Sequence, residues 1–349
     1  MKSFYILFIF INLPLLFIQC SEEIIPEEIP GKYEKGVFVL NQGNFGSGTG
    51  TLTYYDGDAV IEQKAYQQNN GGMTLGNVAQ SMIKVDNQYF VAVNNAGKFV
   101  IIEDENLRFV TRISEIDQPR FFAEWVDNFL YLSEWGLDGV SGKIHKINPF
   151  DGSVVNTTIT GGGPEKMVVL DNNLYICKSG GFATDSVLLK YNLFTDQVED
   201  SFVVGHNPVD IIVDKIGTLW VLCSGMFDFN NPGNSTSGKL VQLDNGVILN
   251  SWELENGVRN LAHDVVSDYL YYLAGNSIMR INMRNSSNPE AFYNGSFYAL
   301  AVEPSSGNVY ATDAKDFNSN GEVLIISPEG QLVDSFMAGI IPGYIYFAN

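Results

Sequence analysis

The chain has 349 residues, is 45% hydrophobic with 34 Gly and 17 Tyr, and has a mean hydropathy of +0.02. That balance suits a globular protein of many short strands and turns and excludes a disordered one. A net charge of −20 excludes a nucleic-acid partner, whose phosphates need a basic footprint, and weakens capture of polyanions generally.

The chain opens on MKSFYILFIFINLPLLFIQC: Lys2, an uncharged apolar run from Ser3 to Ile18, then Gln19 and Cys20. The run is short for a membrane span and ends at a cysteine, so residues 1–20 read as a lipoprotein signal peptide with Cys20 as the lipidated residue. Gln19 stands where a small residue is usual. Residues 21–35 carry Glu22, Glu23, Glu27, Glu28 and Glu34 with Pro26 and Pro30. Such a segment has little apolar surface to bury and reads as a stiff, solvated acidic tether. Ser21 and the glutamates right after Cys20 resemble the export signal of Bacteroidota-type surface lipoproteins. That implies an outer-membrane, lipid-anchored protein exposed at the cell surface.

From residue 36 the sequence repeats at about 45 residues. The matching stretches begin at Asn77, Gln118, Gly163, Asn207, Gly257 and Ser296. Each pairs an apolar strand with a turn and an aromatic-rich second strand, as in GPEKMVVLDNNLYICKSG and NPVDIIVDKIGTLWVLCSG. A third strand follows (GKIHKINP, SVLLKYN, GKLVQLD) and then a fourth (SVVNTTITG, QVEDSFVVG, QLVDSFMAG). Four short strands per unit at this period predict propeller blades.

Six units are complete and a seventh is split. Residues 36–66 supply three strands, GVFVLNQG, GTLTYYD and AVIEQKAY, and lack a first one. The terminal IPGYIYF matches it, with Pro342 at the place of Pro119, Pro164 and Pro208. The expectation is an all-β, seven-bladed β-propeller over residues 36–349, closed by the C-terminal strand pairing into the N-terminal blade. Closure would also cover an otherwise aggregation-prone edge. Cys177 and Cys223 lie one place out of register near the ends of their strands, which predicts two buried, unpaired thiols facing opposite ways.

In such a ring the loops between strands two and three, and from strand four to the next blade, share one face. Here they are long: NQGNFGSGTG, SEWGLDGVSG, KSGGFATDS, SGMFDFNNPGNSTSG and TDAKDFNSNG. The turns of the other face are tight, as in LDNN and PFDGS. Long loops on a rigid scaffold are where binding residues concentrate. The loop aromatics Phe45, Trp135, Phe182, Phe227, Phe229 and Phe317 are candidate ligand contacts, since aromatics give large amphipathic contact area. Arg120, Lys166, Arg259 and Tyr298, with His206 and Tyr344, are placed at the channel mouth by the inter-blade loops.

Catalytic and metal signatures are sparse. GSGTGT joins two predicted strands and precedes no helix, so it lacks the physical basis of a phosphate loop. His145, His206 and His263 fall at different radial depths and share no predicted metal. Asp316, Asn318 and Asn320 have calcium-loop spacing, but Ser327 stands where the closing glutamate is needed, so a turn-forming loop is the plainer reading. No serine elbow, His-Glu-x-x-His or Cys-x-x-Cys appears, and no enzymatic activity is expected.

The stretches GVFVLNQGNFGSGTGTLTYYD, GNVAQSMIKVDNQYFVAVNNAGK and GTLWVLCSGM resemble the YncE-like seven-bladed propeller lipoproteins of Bacteroidota, across residues 36–349. Within that group the chain looks like the BtuG-type surface lipoproteins. The resemblance implies capture of cobalamin or another corrinoid and a TonB-dependent outer-membrane transporter as partner. Related propellers serve ferric siderophore uptake, and a surface propeller binding glycan or protein is the other alternative. The resemblance carries over no ligand-contact residue.

Overall fold

The computed structural model describes residues 31–349 apart from 59–60, 126–128, 286 and 349. The leader, Cys20 and the tether up to residue 30 lie outside the described residues. Seven four-stranded antiparallel sheets follow one another around a ring. The innermost strands neighbour one another in sequence order, and Pro342–Ala348 packs between the first strands of the last and second blades to complete the circle.

Closure occurs as the repeat predicts. Pro342–Ala348 pairs antiparallel with Gly36–Asn41, from Gly36 opposite Ala348 to Asn41 opposite Pro342. Blade one is therefore the split blade, blade two spans residues 79–114, and blade seven spans residues 299–340.

Strand burial follows radial position. Second strands are walled in by their neighbours on both faces, so Leu219–Cys223 is buried at every residue. Such positions need continuous apolar runs rather than alternation. Fourth strands face solvent on the outside and are largely exposed, as in Val154–Ile159. Between adjacent blades lie separate apolar clusters, one in each of the seven gaps. Cys177 and Cys223 face opposite sides of their own blades and so meet in one gap, between blades four and five. Burial pushes both thiols up, Cys223 to about 12, which keeps them protonated and inert.

Two sequence expectations need correction. Among the described residues, the fourth strand of blade one, read as AVIEQKAY, is confined to Ile61–Glu62. The chain then turns into a short helix, Ala65–Asn69, whose Ala65 and Tyr66 pack into the gap toward blade two. The periodicity missed it because five residues are too few to show a helical repeat. The described end of the tether is also not solvated. Tyr33 is buried in the same cluster, donates to Glu62 (2.7 Å) and accepts from Tyr89 through its carbonyl (2.7 Å). The acidic composition around Tyr33 hid one well-anchored aromatic.

Candidate functional site

The start of each first strand shapes the channel mouth. Blades two to six carry a β-bulge there, at Ala79/Ser81, Pro119/Phe122, Pro164/Met167, Pro208/Asp210 and Arg259/Leu261. A bulge adds residues without a ladder partner and re-aims their side chains, here toward the axis. Directly before the aligned prolines, Gln118, Asn207 and Ile341 hold left-handed backbone at φ 57°, 53° and 54°. Residues before proline prefer extended backbone, so this strain is held by the ring around it.

The result is a cavity of 360 Å³ at the mouth, lined by Arg120, Lys166, Arg259, Tyr298, Tyr344 and Phe121 with the amides of Gln42, Gln80, Asn94 and Asn260. Polar contacts cross from blade to blade. Arg120 of blade three donates through Nε (3.2 Å) and Nη2 (3.0 Å) to Glu165 of blade four, and through Nη1 to Gln80 of blade two (2.9 Å). Lys166 of blade four pairs with Asp210 of blade five, which also accepts from the Leu261 backbone N–H of blade six (2.7 Å). Arg259 donates to the Phe297 carbonyl (2.6 Å), and Tyr298 of blade seven to Gln42 of blade one (3.0 Å).

The expected cations Arg120, Lys166 and Arg259 do line the cavity, and two of them are already paired. Arg120 and Lys166 are neutralised by carboxylates of the next blade. Among the described residues, Arg259 meets carbonyl oxygens at hydrogen-bond distance. Burial pushes the Glu165 carboxyl up, and the Arg120 guanidinium pulls it partly back. Burial likewise pushes Tyr344 to about 12, so its hydroxyl stays a donor.

The predicted aromatics divide. Trp135 is half-buried, with the Arg120 guanidinium 4.3 Å from its ring and Phe182 edge-on at 5.8 Å. It stands behind Arg120 rather than in the mouth, and its indole N–H is buried without a partner. Phe317 packs edge-on against Tyr298 at 5.7 Å. Phe227 and Phe229 pack on each other at 4.7 Å in the long loop of blade five. Phe45 is 81% exposed at the loop of blade one. His206 is exposed and does not line the cavity.

Sequence reasoning missed Gln42, Gln80, Asn94, Phe121, Asn260, Glu165 and Asp210. A signal existed for most of them. Gln80, Phe121, Lys166, Asp210, Asn260 and Tyr344 all stand two places after the aligned proline or its equivalent, so the repeat itself specifies a ring.

The carboxylate of the calcium-spaced loop is used internally. Asp316 accepts from the Asn318 and Ser319 backbones at 3.0 and 2.7 Å, which holds its carboxyl below the usual range. Asn320 donates instead to Gln63 (2.9 Å). Among the described residues no three His, Cys, Asp or Glu side chains converge as a metal site. None of the described helices is long and apolar enough to cross a membrane.

No curated protein matches the sequence. Among solved structures, a quinonprotein alcohol dehydrogenase-like protein of Bacteroides thetaiotaomicron aligns over 91% of this chain and 79% of its own. Its TM-score is 0.69 at 14% identity. A functionally unknown protein of Desulfotomaculum acetoxidans aligns over 90% of this chain and 98% of its own, with TM-score 0.65 and 13% identity. A putative 6-phosphogluconolactonase of Bacteroides fragilis covers 92% of this chain and 100% of its own, with TM-score 0.61 and 10% identity. At these identities the likeness is one of fold. The sequence family that matches covers residues 35–335 and stops short of the closing strand that the structure returns to blade one. The chain thus belongs to the DUF5074 family, a domain of unknown function.

Proposed function

We propose that this propeller is a lipid-anchored surface protein that captures a bulky nutrient at its channel mouth and passes it, unchanged, to a TonB-dependent outer-membrane transporter. The observation that carries the reading is the mouth itself: four amides and three aromatic rings around a 360 Å³ cavity, with Arg120 and Lys166 already paired. A cavity of that size is at the small end for a ligand site, so a large flat ligand lies across it and sends a side group inward. Neutral amides that both donate and accept suit a corrinoid, whose periphery carries amides of its own. A trianionic ferric catecholate would meet an acidic protein whose mouth offers one carbonyl-bonded arginine.

Calorimetric titration of the purified protein with cobalamin, cobinamide and a ferric catecholate siderophore tests this. Heat with a corrinoid is expected. Heat with the siderophore alone would replace the ligand, and no binding of any of the three at micromolar concentration would end the capture reading. Cys20→Ala should release the protein from the membrane fraction, because acyl chains are the anchor the reading requires.

A further inference from the structure

The polar groups that line the channel mouth are not equally committed. On the side of blades two to four they have partners. Arg120 and Lys166 are each paired with a carboxylate, the Gln80 amide oxygen accepts from Arg120 (2.9 Å), and Asn94 donates to the Pro119 carbonyl (3.1 Å). The side of blade six differs. Its first strand opens on a β-bulge in which Arg259 lies opposite Leu273 and Leu261 opposite Tyr272, so Asn260 has no ladder partner. The Asn260 backbone is left-handed at φ 52°, a conformation that asparagine adopts more readily than most residues.

Arg259 donates once through Nη2 to the Phe297 carbonyl (2.6 Å) and weakly through Nη1 to the Gly257 carbonyl (3.5 Å), which leaves N–H groups of its guanidinium free. Among the described residues, the Asn260 amide and the Tyr344 hydroxyl make no hydrogen bond. Arg259, Asn260 and Tyr344 all line the cavity and are all partly exposed. Charge divides in the same way. Of the three cations of the mouth, Arg120 and Lys166 are neutralised by Glu165 and Asp210, and no carboxylate is among the lining residues. Arg259 is therefore an uncompensated positive charge, open to the cavity, on a chain of net charge −20.

We infer that the blade-six side of the mouth is an oxyanion subsite: the captured ligand carries one carboxylate or phosphate group, which docks on the Arg259 guanidinium beside the Asn260 amide and the Tyr344 hydroxyl. The subsite rests on the capture reading for where binding occurs and adds what the ligand must carry. Donors without acceptors around a cavity call for an acceptor from outside. A guanidinium with free N–H groups meets a carboxylate or phosphate through charge-assisted bonds that can run in parallel, which an ammonium cannot offer. One free cation matches one negative charge.

Saturation-transfer NMR on the purified chain tests the subsite with phenyl phosphate, benzoate and the neutral benzyl alcohol, small probes whose ring suits Phe121 and Tyr344. At least one of the two anions should bind with a Kd of about 1 mM or tighter. It should bind about tenfold tighter than benzyl alcohol, the scale of a hydrogen bond to a charged group. Which anion is preferred decides between phosphate and carboxylate. Arg259→Gln should remove the preference for the anion and leave benzyl alcohol unchanged. Asn260→Asp is a second variant that keeps the Arg259 bond to the Phe297 carbonyl and sets a carboxylate next to the guanidinium; it should remove the preference too. The subsite is overturned if neither anion binds tighter than benzyl alcohol, or if the preference persists in either variant when folded. Corrinoid titration reads something else. Anion preference without corrinoid heat would end the corrinoid assignment and keep the subsite, and corrinoid heat without anion preference would end the subsite alone.

Discussion

The two faces of the ring satisfy their polar groups in different ways. On the tight-turn face, several turns are closed by a side chain within the turn. Asn192 accepts from Phe194 and Thr195 N–H groups (2.8 and 3.0 Å), Asp214 from Ile216 (3.0 Å), and Asp264 from Val266 (2.9 Å). At the channel mouth the partners come from other blades: Gln80, Arg120 and Glu165 belong to blades two, three and four, and Lys166, Asp210 and Leu261 to blades four, five and six. One face is built mainly of turns that supply their own partners, with ion pairs such as Lys146–Asp196 and Lys215–Asp268 crossing between blades beside them. The other exists only once the ring is assembled, so damage to it should cost more.

The largest effect tests assembly directly. A chain ending at Ile340 loses the inner strand of blade one, and with it Gly343 and Tyr344 of the mouth. Ile345 and Ala348 leave two inter-blade clusters, each large buried side chain being worth roughly 1.5–3 kcal/mol. Aggregation on size-exclusion chromatography, or a much lower melting temperature, is expected. A monomer with an unchanged melting curve would sink the closure.

Next in size is the cross-blade ion pair. Glu165→Ala removes the carboxylate that pairs with the Arg120 guanidinium, and breaking a buried pair this way costs roughly 3–5 kcal/mol. Asn192→Ala on the opposite face removes three local hydrogen bonds at a partly exposed turn and should cost at most about 1 kcal/mol. Urea unfolding of both variants measures the contrast; equal losses would mean that the two faces do not differ as described.

Much of this was legible in the sequence because it is local. Turn residues such as Asn-Asn and Asp-Gly mark the tight face, and alternating apolar runs mark blades. The closing strand was readable because its proline sits where three others do. What was not readable is relational. Nothing in residues 118–121 says that Arg120 will meet an acid 45 positions later. Nor does the sequence around Lys166 show that Asp210 of the next blade will pair with it. Loop position alone makes Trp135 a candidate ligand contact, whereas the structure sets its ring against the Arg120 guanidinium.

That correction sharpens the ligand prediction. Trp135→Ala removes the ring on which Arg120 rests, so the guanidinium loses its fixed position beside Phe121. Corrinoid affinity should fall by roughly 2 kcal/mol, the scale of an interface hot spot. Asn172→Ala, on the tight-turn face, should leave affinity alone. Binding that survives Trp135→Ala and is lost with Asn172→Ala would place the ligand on the other face.

The smallest effect concerns pH, and it separates two buried acids of neighbouring blades. Burial dominates at Glu165 and raises its carboxyl despite Arg120. Burial is also the largest single influence at Glu134, but hydrogen bonds from His145 (2.6 Å) and Lys143 (2.7 Å) together outweigh it and lower the carboxyl. The signs therefore oppose. At Glu165 the folded state holds its proton to higher pH than the unfolded chain, so its contribution is most favourable below the ordinary carboxylate range and declines as pH rises to the raised value. At Glu134 the contribution is fully present above the ordinary value and is lost as pH falls through the lowered one. Stability curves against pH for Glu165→Gln and Glu134→Gln should deviate from the parent in opposite directions below neutrality. Matching deviations would mean that the Arg120 contact, not burial, governs the Glu165 carboxyl.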